Sequence, residues 1–239
     1  MKNEFYEQKK FEKEVEKFHK NFEKLMSIDV PRNDLVHMFP IFTGHLNLGR
    51  FLSLYEIYKM TLEKNVLGHI ADVGTWKGAS FFFFIKLIQL FEPRSITQVH
   101  GFDWFKGMKM TSKLDNKQFD GMHTCSRELV EHFLDSQELD HMGFIHNVDL
   151  SKNLGKFMDE NKSLMFKIVF LDCGSYVALK EAMKHFWPRL STNGIMIFDH
   201  VNDSSVASET IAIREFFGDD IELKAFPFSN WPAGYIIKK

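Results

Sequence analysis

Apolar residues recur at helical spacing near the start of the chain. The first stripe, with Glu and Lys between its members, is formed by Phe11, Val15, Phe18, Phe22 and Leu25. This spacing predicts one amphipathic helix, but the stripe spans only about two heptads and is too short to indicate a coiled coil. We expect residues 1–46 to form an N-terminal helical arm. The arm either packs on its own chain, covers the site as a lid, or joins two copies in a homodimer.

Beyond Pro31, which interrupts the first pattern, a second helical stripe begins at Leu48 and leads into alternating short apolar runs and helical stretches. The alternation predicts βαβ units and a parallel sheet covered on both faces. The predicted parallel strands are 69–73, "TQVHGFD", "MGFIHNV", "FKIVFLD" and "GIMIFD". Two final runs, "IELKAFPF" and "AGYIIKK", predict an antiparallel C-terminal hairpin. The pattern therefore predicts an α/β fold.

Composition excludes several classes of protein. The 30 basic and 32 acidic side chains give a net charge of -2, which argues against nucleic-acid binding through a general basic field. The most apolar run, "FFFFIKLIQLF", contains Lys86 and is about half as long as a membrane span, so we expect no membrane insertion. The charged N-terminus lacks the apolar core of a signal peptide, and Cys125 and Cys173 lack paired spacing. These features predict a cytoplasmic protein.

Acidic residues close all five predicted parallel strands, and ligands of such sheets bind beyond the carboxyl ends of the strands. These residues are Asp72, Asp103, Asp149, Asp172 and Asp199, the last of which is followed by His200. One such carboxylate is commonly a helix cap, but five together predict a polar crevice for a ligand rich in hydroxyl groups and cations.

The loop "GTWKG" after the first strand narrows the range of possible ligands. It has neither the three glycines of a dinucleotide site nor the ending of a P-loop, which disfavours a nicotinamide-dependent oxidoreductase. Gly74 and Gly78 allow close backbone approach, Asp72 can accept a hydrogen bond from an amino group, and Asp103 can bind both hydroxyls of a ribose. These features suit a nucleoside that carries an amino acid.

Four ordered motifs carry a family resemblance: "ADVGTWKGAS", "HGFDWFKGM", "FIHNVDLSKNL" and "VFLDCGSYVALKEAMKHFWPRLSTNGIMIFDHV". The chain resembles the class I S-adenosylmethionine-dependent methyltransferases, and within them the macrocin O-methyltransferase family of sugar O-methyltransferases. The resemblance covers residues 47–239. It implies a Rossmann-like, seven-stranded, mostly parallel sheet in that domain. It also implies methyl transfer to a hydroxyl of a sugar, nucleotide-sugar or glycoside in carbohydrate biosynthesis.

The resemblance also assigns cofactor contacts. The methionine end of S-adenosylmethionine would be lined by Asp72, Gly74, Thr75, Trp76, Gly78 and Ser80. The ribose and adenine would lie against Asp103, Trp104 and Phe105, although both aromatic residues also suit a core. Asp149 would reach the adenine amino group, and Asp172 would border both the cofactor and the reaction centre. Arg50 and Thr43 are further candidates for the carboxylate side of the cofactor.

The resemblance further implies a divalent cation, Mg²⁺ or another metal, held by Asp172, Asp199 and the next residue. That residue is His200 here, where the family usually has a second Asp, and Gly174 stands where the family often has a further carboxylate. Magnesium prefers oxygen ligands, whereas imidazole suits zinc, nickel or iron. We expect Asp172 and His200 to be catalytic. For His200 the alternatives are a base, a metal ligand, or a structural or substrate-binding residue.

Two alternatives keep the fold and change the activity. The first changes the acceptor to an amine or a small polyol, because Gly174 in place of a carboxylate weakens the case for a metal-bound diol. A neutral amine would also need less help from a base. A cofactor-binding protein without catalysis would explain the changes at Gly174 and His200.

Overall fold

The computed structural model describes residues 11–239, in which six strands form one sheet. The strands are β1 His69–Val73, β2 Val99–Asp103, β3 Gly143–Asn147, β4 Phe166–Leu171, β5 Leu190–Phe198 and β6 Gly234–Ile237. Their order across the sheet is β3-β2-β1-β4-β5-β6. All neighbours are parallel except β5 and β6. The chain leaves β1 in one direction and β4 in the other, so a crevice opens between their carboxyl ends.

Helices precede and separate these strands. They are α1 Glu12–Met26, α2 Arg32–His37, α3 Phe39–Phe42, α4 His45–Glu63, α5 Ala79–Phe91, α6 Arg127–Asp135, α7 Leu154–Glu160, α8 Tyr176–Phe186 and α9 Ala207–Phe217. No helix in the described residues is both long and apolar enough to cross a membrane.

The sheet is buried on both faces because successive residues of each strand contact different layers. Ile70 and Phe170 pack with α4 and α5, whereas Ala71 and Val169 pack with α7, α8 and α9. The four consecutive phenylalanines lie in the first turns of α5, and Phe81 and Phe84, which are three residues apart, are fully buried. Burial of both faces explains why the strands have nearly continuous apolar sequences.

The predicted fold class is confirmed, but the sheet has six strands where seven were expected. The run "IELKAFPF" makes one antiparallel bridge, Lys224 with Tyr235, and no ladder. The next ladder bond would use the amide of Ala233, which donates instead to the carbonyl of Phe198 over 2.9 Å. Helix α9 was not predicted, because Ser208 and Glu209 share its buried face with Ala212 and Ile213, and this polar content obscures the helical period.

The predicted first helix is α1. Val15, Phe18 and Leu25 are half-buried, and a Cβ atom added to Gly44 would lie only 2.1 Å from the ring of Phe18. Helix α1 therefore contacts Gly44, the residue that precedes α4. Its roles as a lid or a dimer contact, and the division at residues 46 and 47, stay predictions.

Two histidines stack within the sheet. The rings of His100 on β2 and His146 on β3 are 5.2 Å apart and nearly parallel, and His100 Nδ1 lies 3.0 Å from His146 Nε2. Burial lowers the pKa of His100 to about 3 and that of His146 to about 4. Both rings are therefore neutral at physiological pH.

Candidate functional site

The carboxyl ends of the central strands meet at one edge, as the sequence predicts. Val73 pairs with Leu171, and Leu171 pairs with Phe198, so the residues that follow these three lie side by side. The amide of Asp172 donates to the carbonyl of Val73 over 2.8 Å, and the amide of Asp199 donates to the carbonyl of Leu171 over 3.0 Å. Asp172 and Asp199 are thus neighbours at the crevice.

The loop after β1 approaches β4 very closely. Gly74 has a φ of +91°, and a Cβ atom there would lie 1.9 Å from the carbonyl oxygen of Asp172. Only glycine fits this position. Gly78, with a φ of +88°, begins α5, where a Cβ atom would lie 3.0 Å from the ring of Phe82. Both predicted loop glycines are therefore required by the shape of the crevice wall.

Asp72 presents an unfilled acceptor in this wall. Its side chain is 1% exposed, and its Oδ1 accepts a hydrogen bond of 2.6 Å from Ser80 Oγ. Thr75 Oγ1 donates to the Asp72 carbonyl over 2.9 Å. Oδ2 has no partner among the described residues. Burial raises the pKa of Asp72 to about 7, against the opposing hydrogen bond from Ser80. A ligand amino group fits this buried oxygen, since it would donate the missing hydrogen bond.

Asp103 holds the loops on both sides of it. Its Oδ2 accepts from the amide of Trp76 over 2.8 Å, and its Oδ1 accepts from the amide of Phe105 over 2.7 Å. Burial raises the pKa of Asp103, and these amide hydrogen bonds oppose the rise. Each oxygen keeps a second lone pair that can accept from a hydroxyl. Trp76 is 38% exposed, whereas Phe105 is buried, so of these two aromatic residues Trp76 is the more open to a ligand.

Lys109 joins two predicted adenine contacts. Its ammonium lies 2.9 Å from Asp149 Oδ2 and 4.9 Å from the centre of the Trp104 indole ring. Burial alone raises the pKa of Asp149, but hydrogen bonds from Ser151 and Lys109 outweigh it and hold the pKa below its ordinary value. The sequence did not indicate Lys109. In the structure it binds one oxygen of the carboxylate that was expected to meet adenine.

Arg50, on α4, contacts both central aspartates. Its Nη2 donates to Asp172 Oδ2 over 2.9 Å, and its Nη1 donates to Asp199 Oδ1. Burial lowers the pKa of Arg50, but the charges of Asp199 and Asp172 outweigh burial and raise it above its ordinary value. The sequence suggested that Arg50 lies near the cofactor carboxylate. The structure places its guanidinium between two protein carboxylates, and a contact with the cofactor carboxylate stays a prediction.

His200 lies between acidic groups. Its Nδ1 is 3.1 Å from Asp203 Oδ2, and its Nε2 is 3.4 Å from Asp199 Oδ2. Burial lowers the pKa of His200, but Asp203, Asp199 and Glu209 together outweigh burial and raise it to about 10. The ring is therefore an imidazolium at neutral pH. It must lose a proton before it can act as a base or a metal ligand, so both predicted roles carry this added requirement.

The predicted metal ligands do lie together. Asp172, Asp199 and His200 each offer one ligand atom, and these atoms lie within 4.8 Å of one another. Arg50 nevertheless binds one oxygen of each aspartate, and the third donor is an imidazole with acidic neighbours at both nitrogens. Magnesium prefers a shell of oxygen ligands. The residues present therefore fit magnesium poorly.

Glu209 and Trp231 also lie at the site. The sequence did not indicate Glu209. Glu209, on α9, is 1% exposed, and neither of its carboxylate oxygens has a partner in residues 11–239. The ring of Trp231 lies 6.3 Å from that of His200. Burial raises the pKa of Glu209 to about 8, although the charge of His200 lowers it. Glutamate on a helix is usually exposed, so the sequence carries no signal for this burial.

The backbone conformation and the packing around residue 174 favour glycine at this position. Its φ is +68°, and a Cβ atom there would lie 2.0 Å from Met108 Cε. A carboxylate side chain at this position would require Met108 to move. The departure from the family pattern at Gly174 is therefore matched by the packing of the neighbouring loop.

Residues 106–124, which we name the crevice loop, connect several strand ends. Besides the Lys109 contact, Asp115 Oδ1 accepts from the amide of Tyr176 over 2.9 Å, next to β4. Asn116 Nδ2 donates to the Ser205 carbonyl over 3.2 Å, beyond β5. Trp76 Nε1 donates to the carbonyl of Thr124, also over 3.2 Å, beside β1. The loop thus lies across the crevice and forms part of its wall.

Comparisons with known proteins agree with this fold. Residues 71–201 match the family model described as a methyltransferase domain. The crystal structure of CalS11, a calicheamicin methyltransferase, is 21% identical, covers 95% of this chain and 93% of its own, and superposes with a TM-score of 0.80. An apo structure of CalS11, described as TDP-rhamnose 3'-O-methyltransferase, is 20% identical over 95% of this chain and 94% of its own, with a TM-score of 0.72.

A more distant match has the same fold. The O-methyltransferase NovP is 15% identical, covers 82% of this chain and 83% of its own, and has a TM-score of 0.67. No curated protein matches the chain at a significant level.

Proposed function

The chain belongs to the methyltransferase-domain family, and we propose that it transfers a methyl group from S-adenosylmethionine to a hydroxyl of a sugar, nucleotide-sugar or glycoside. The observation that carries the proposal is the unfilled oxygen of Asp72 beside Gly74, at the topological switch point of the sheet. The motif resemblance supports a sugar acceptor. So does the shared fold with CalS11, which is described as acting on a TDP-linked rhamnose.

The chain's own residues would bind the two ends of the cofactor. Asp72 Oδ2 would accept a hydrogen bond from the amino group, which supplies the partner that this buried oxygen lacks. Asp103 would accept from the ribose hydroxyls with its remaining lone pairs. Trp104, Phe105 and Asp149 would surround the adenine, and Lys109 would have to move from Asp149 to let the base approach. When bound, S-adenosylmethionine supplies a methyl group on a positively charged sulfur.

The crevice residues would position the acceptor and receive its proton. The acceptor oxygen forms a bond to the methyl carbon while the bond from carbon to sulfur breaks, and the hydroxyl proton leaves for a base. Positioning the two reactants accounts for much of such a rate enhancement. We assign the proton to Asp172, whose side chain is 32% exposed. His200 is protonated before reaction and cannot accept the proton directly.

Calorimetric titration tests cofactor binding. We expect S-adenosylmethionine and S-adenosylhomocysteine to bind the wild type, and Asp72→Asn to bind both more weakly by about tenfold, because it loses a charge-assisted hydrogen bond. Asp135→Asn, at an exposed position on α6, is the matched control and should bind like the wild type. If neither ligand binds the wild type at millimolar concentration, the proposed function is wrong.

Acceptor screening tests the sugar assignment. Incubation with nucleotide-sugars and glycosides should give a product that mass spectrometry identifies by one added methyl group. One observation favours an amine acceptor instead: the crevice contains the carboxyl group of Glu209, which has no hydrogen-bond partner among the described residues, and a protonated carboxyl group can donate a hydrogen bond to an amine nitrogen and accept one from its N–H. Methylation of an amino sugar at nitrogen, with no product from its hydroxyl analogue, would favour this second function.

A further inference from the structure

Asp172 and Asp199 form a carboxylate pair that needs a positive charge between them. Asp199 has a side chain that is 4% exposed, and that of Asp172 is 32% exposed. Two ionised carboxylates that share a poorly hydrated site repel each other, and water screens them little. A countercation bound between them removes this cost. In many enzymes a metal ion supplies this positive charge.

Arg50 occupies this place in the structure. Its two terminal nitrogens bind different carboxylates, one to Asp172 over 2.9 Å and the other to Asp199. The planar guanidinium also lies 5.1 Å from the centre of the Phe170 ring, which contributes a cation–π contact. A forked donor that is always charged suits this task better than lysine does.

The backbone of α4 holds Arg50 at the crevice. The neighbouring Gly49 is buried, and a Cβ atom there would lie 2.9 Å from the carbonyl oxygen of Phe228. This contact lets α4 lie close to the segment that precedes β6. The backbone next to Arg50 is therefore packed tightly, which fixes the position from which the Arg50 side chain extends.

We propose that Arg50 is the permanent countercation of the Asp172–Asp199 pair, so that this site needs no divalent metal. The guanidinium uses one oxygen of each aspartate, which a metal would need as ligands. A dication placed against these oxygens would also meet the positive charge of Arg50. The inference that methyl transfer needs no metal rests on the proposed function. The inference that the aspartate pair binds no divalent metal does not rest on it.

Arg50 is thereby a positioning residue. Its hydrogen bond to Oδ2 orients the Asp172 carboxylate and leaves Oδ1 to meet the acceptor. A metal would be removed by a chelator, but a guanidinium is not. Methyl transfer is therefore expected to continue unchanged after exhaustive dialysis against a chelator.

Manganese binding tests the proposal without any activity measurement. Mn²⁺ replaces other oxygen-bound divalent ions and can be followed by its paramagnetic signal. For the full-length wild type we expect no stoichiometric binding up to about 1 mM Mn²⁺. Arg50→Met, which keeps an unbranched apolar stem but not the guanidinium or its charge, should bind one Mn²⁺ at least about tenfold more tightly. Arg50→Met combined with Asp172→Asn should lose that binding. Arg214→Met, which removes an exposed partner of Asp219, is the control and should behave like the wild type.

Thermal unfolding of the same variants gives a second readout. Arg50→Met is expected to melt below the wild type, and Mn²⁺ should restore much of the difference while leaving the wild-type Tm unchanged. A variant that folds only with Mn²⁺ present supports the same conclusion. If Arg50→Met does not fold under either condition, Arg50→Gln replaces it with identical expectations.

Two results would overturn the proposal. One is micromolar binding of Mn²⁺ or Mg²⁺ by the wild type that Asp172→Asn abolishes. The other is a folded Arg50→Met that binds metal no better than the wild type, since Arg50 would then not hold the cation's place. Titration with S-adenosylmethionine on the same samples separates the two hypotheses. If the wild type does not bind the cofactor, the proposed function is rejected. If the wild type binds the metal through Asp172, the role of Arg50 is rejected.

Discussion

Glu209 is expected to destabilise the folded protein at neutral pH. It is buried on α9, and neither oxygen has a partner in the part of the chain that the structure describes. Burial raises its pKa from 4.5 to about 8. The folded protein therefore holds a proton that the unfolded chain releases, and stability falls as pH rises from about 4.5 to about 8. Glu209→Gln removes this effect, because glutamine has the same shape and does not titrate.

The size of the effect follows from the two pKa values. Each pH unit between them contributes about 1.4 kcal/mol. At pH 7 the glutamate therefore costs about 3 kcal/mol of unfolding free energy. Near pH 4.5 and below, both states hold the proton and the cost disappears. The gain from Glu209→Gln should thus grow with pH from nearly zero to about 3 kcal/mol.

Urea unfolding at a series of pH values measures this difference, provided that both proteins unfold in one cooperative step. Asp72 and Asp199 also have raised pKa values, so the comparison uses the difference between variant and wild type at each pH. Glu222→Gln, at an exposed position, is the control and should change stability little. A difference between Glu209→Gln and wild type that does not vary with pH would refute the reasoning.

Three further outcomes are expected. Asp103→Ala should weaken S-adenosylmethionine binding by more than about tenfold in calorimetry, whereas Asp172→Asn should chiefly lower turnover; unchanged affinity in the first variant contradicts the ribose assignment. Gly74→Ala should lower the Tm and abolish cofactor binding, because its Cβ would lie 1.9 Å from a carbonyl oxygen, and a wild-type Tm would contradict that close approach. His100 and His146 should contribute a loss of stability as pH falls from 6.5 towards 4, opposite in sign to the effect of Glu209, because the unfolded chain takes up protons that these buried rings resist. In urea unfolding, the stability of His146→Gln relative to the wild type should therefore rise by up to about 1.4 kcal/mol for each pH unit of this fall, and a difference that does not vary with pH would show that His146 makes no such contribution.

The parts of the site that belong to strands could be predicted from the sequence. Asp72, Asp172 and Asp199 each end a short apolar run, and parallel strands bring such ends to one edge. The same logic predicted the α/β fold class. It holds because the strand period and the βαβ alternation are local properties that the chain displays directly.

The contacts made by helix residues could not be predicted from the sequence pattern, and Arg50 was a candidate only through the family resemblance. Arg50 and Glu209 lie on α4 and α9, distant in sequence from the strands that they meet. Arginine and glutamate are most often solvent-exposed on helices, and only tertiary packing decides which of them faces a crevice. The pKa of His200 likewise depends on Asp203 and Glu209, whose proximity no spacing rule reveals.

The crevice loop, residues 106–124, has a consequence for how this protein can change its substrate. Lys109 binds Asp149 near the expected adenine position, while Asn116 binds the segment beyond β5, where we expect the acceptor. A substitution that reshapes one end of the loop therefore shifts the other. Selection for a new acceptor through this loop would also alter cofactor affinity. We expect relatives with different acceptors to differ there by linked sets of substitutions, in which a second change restores what the first one disturbed.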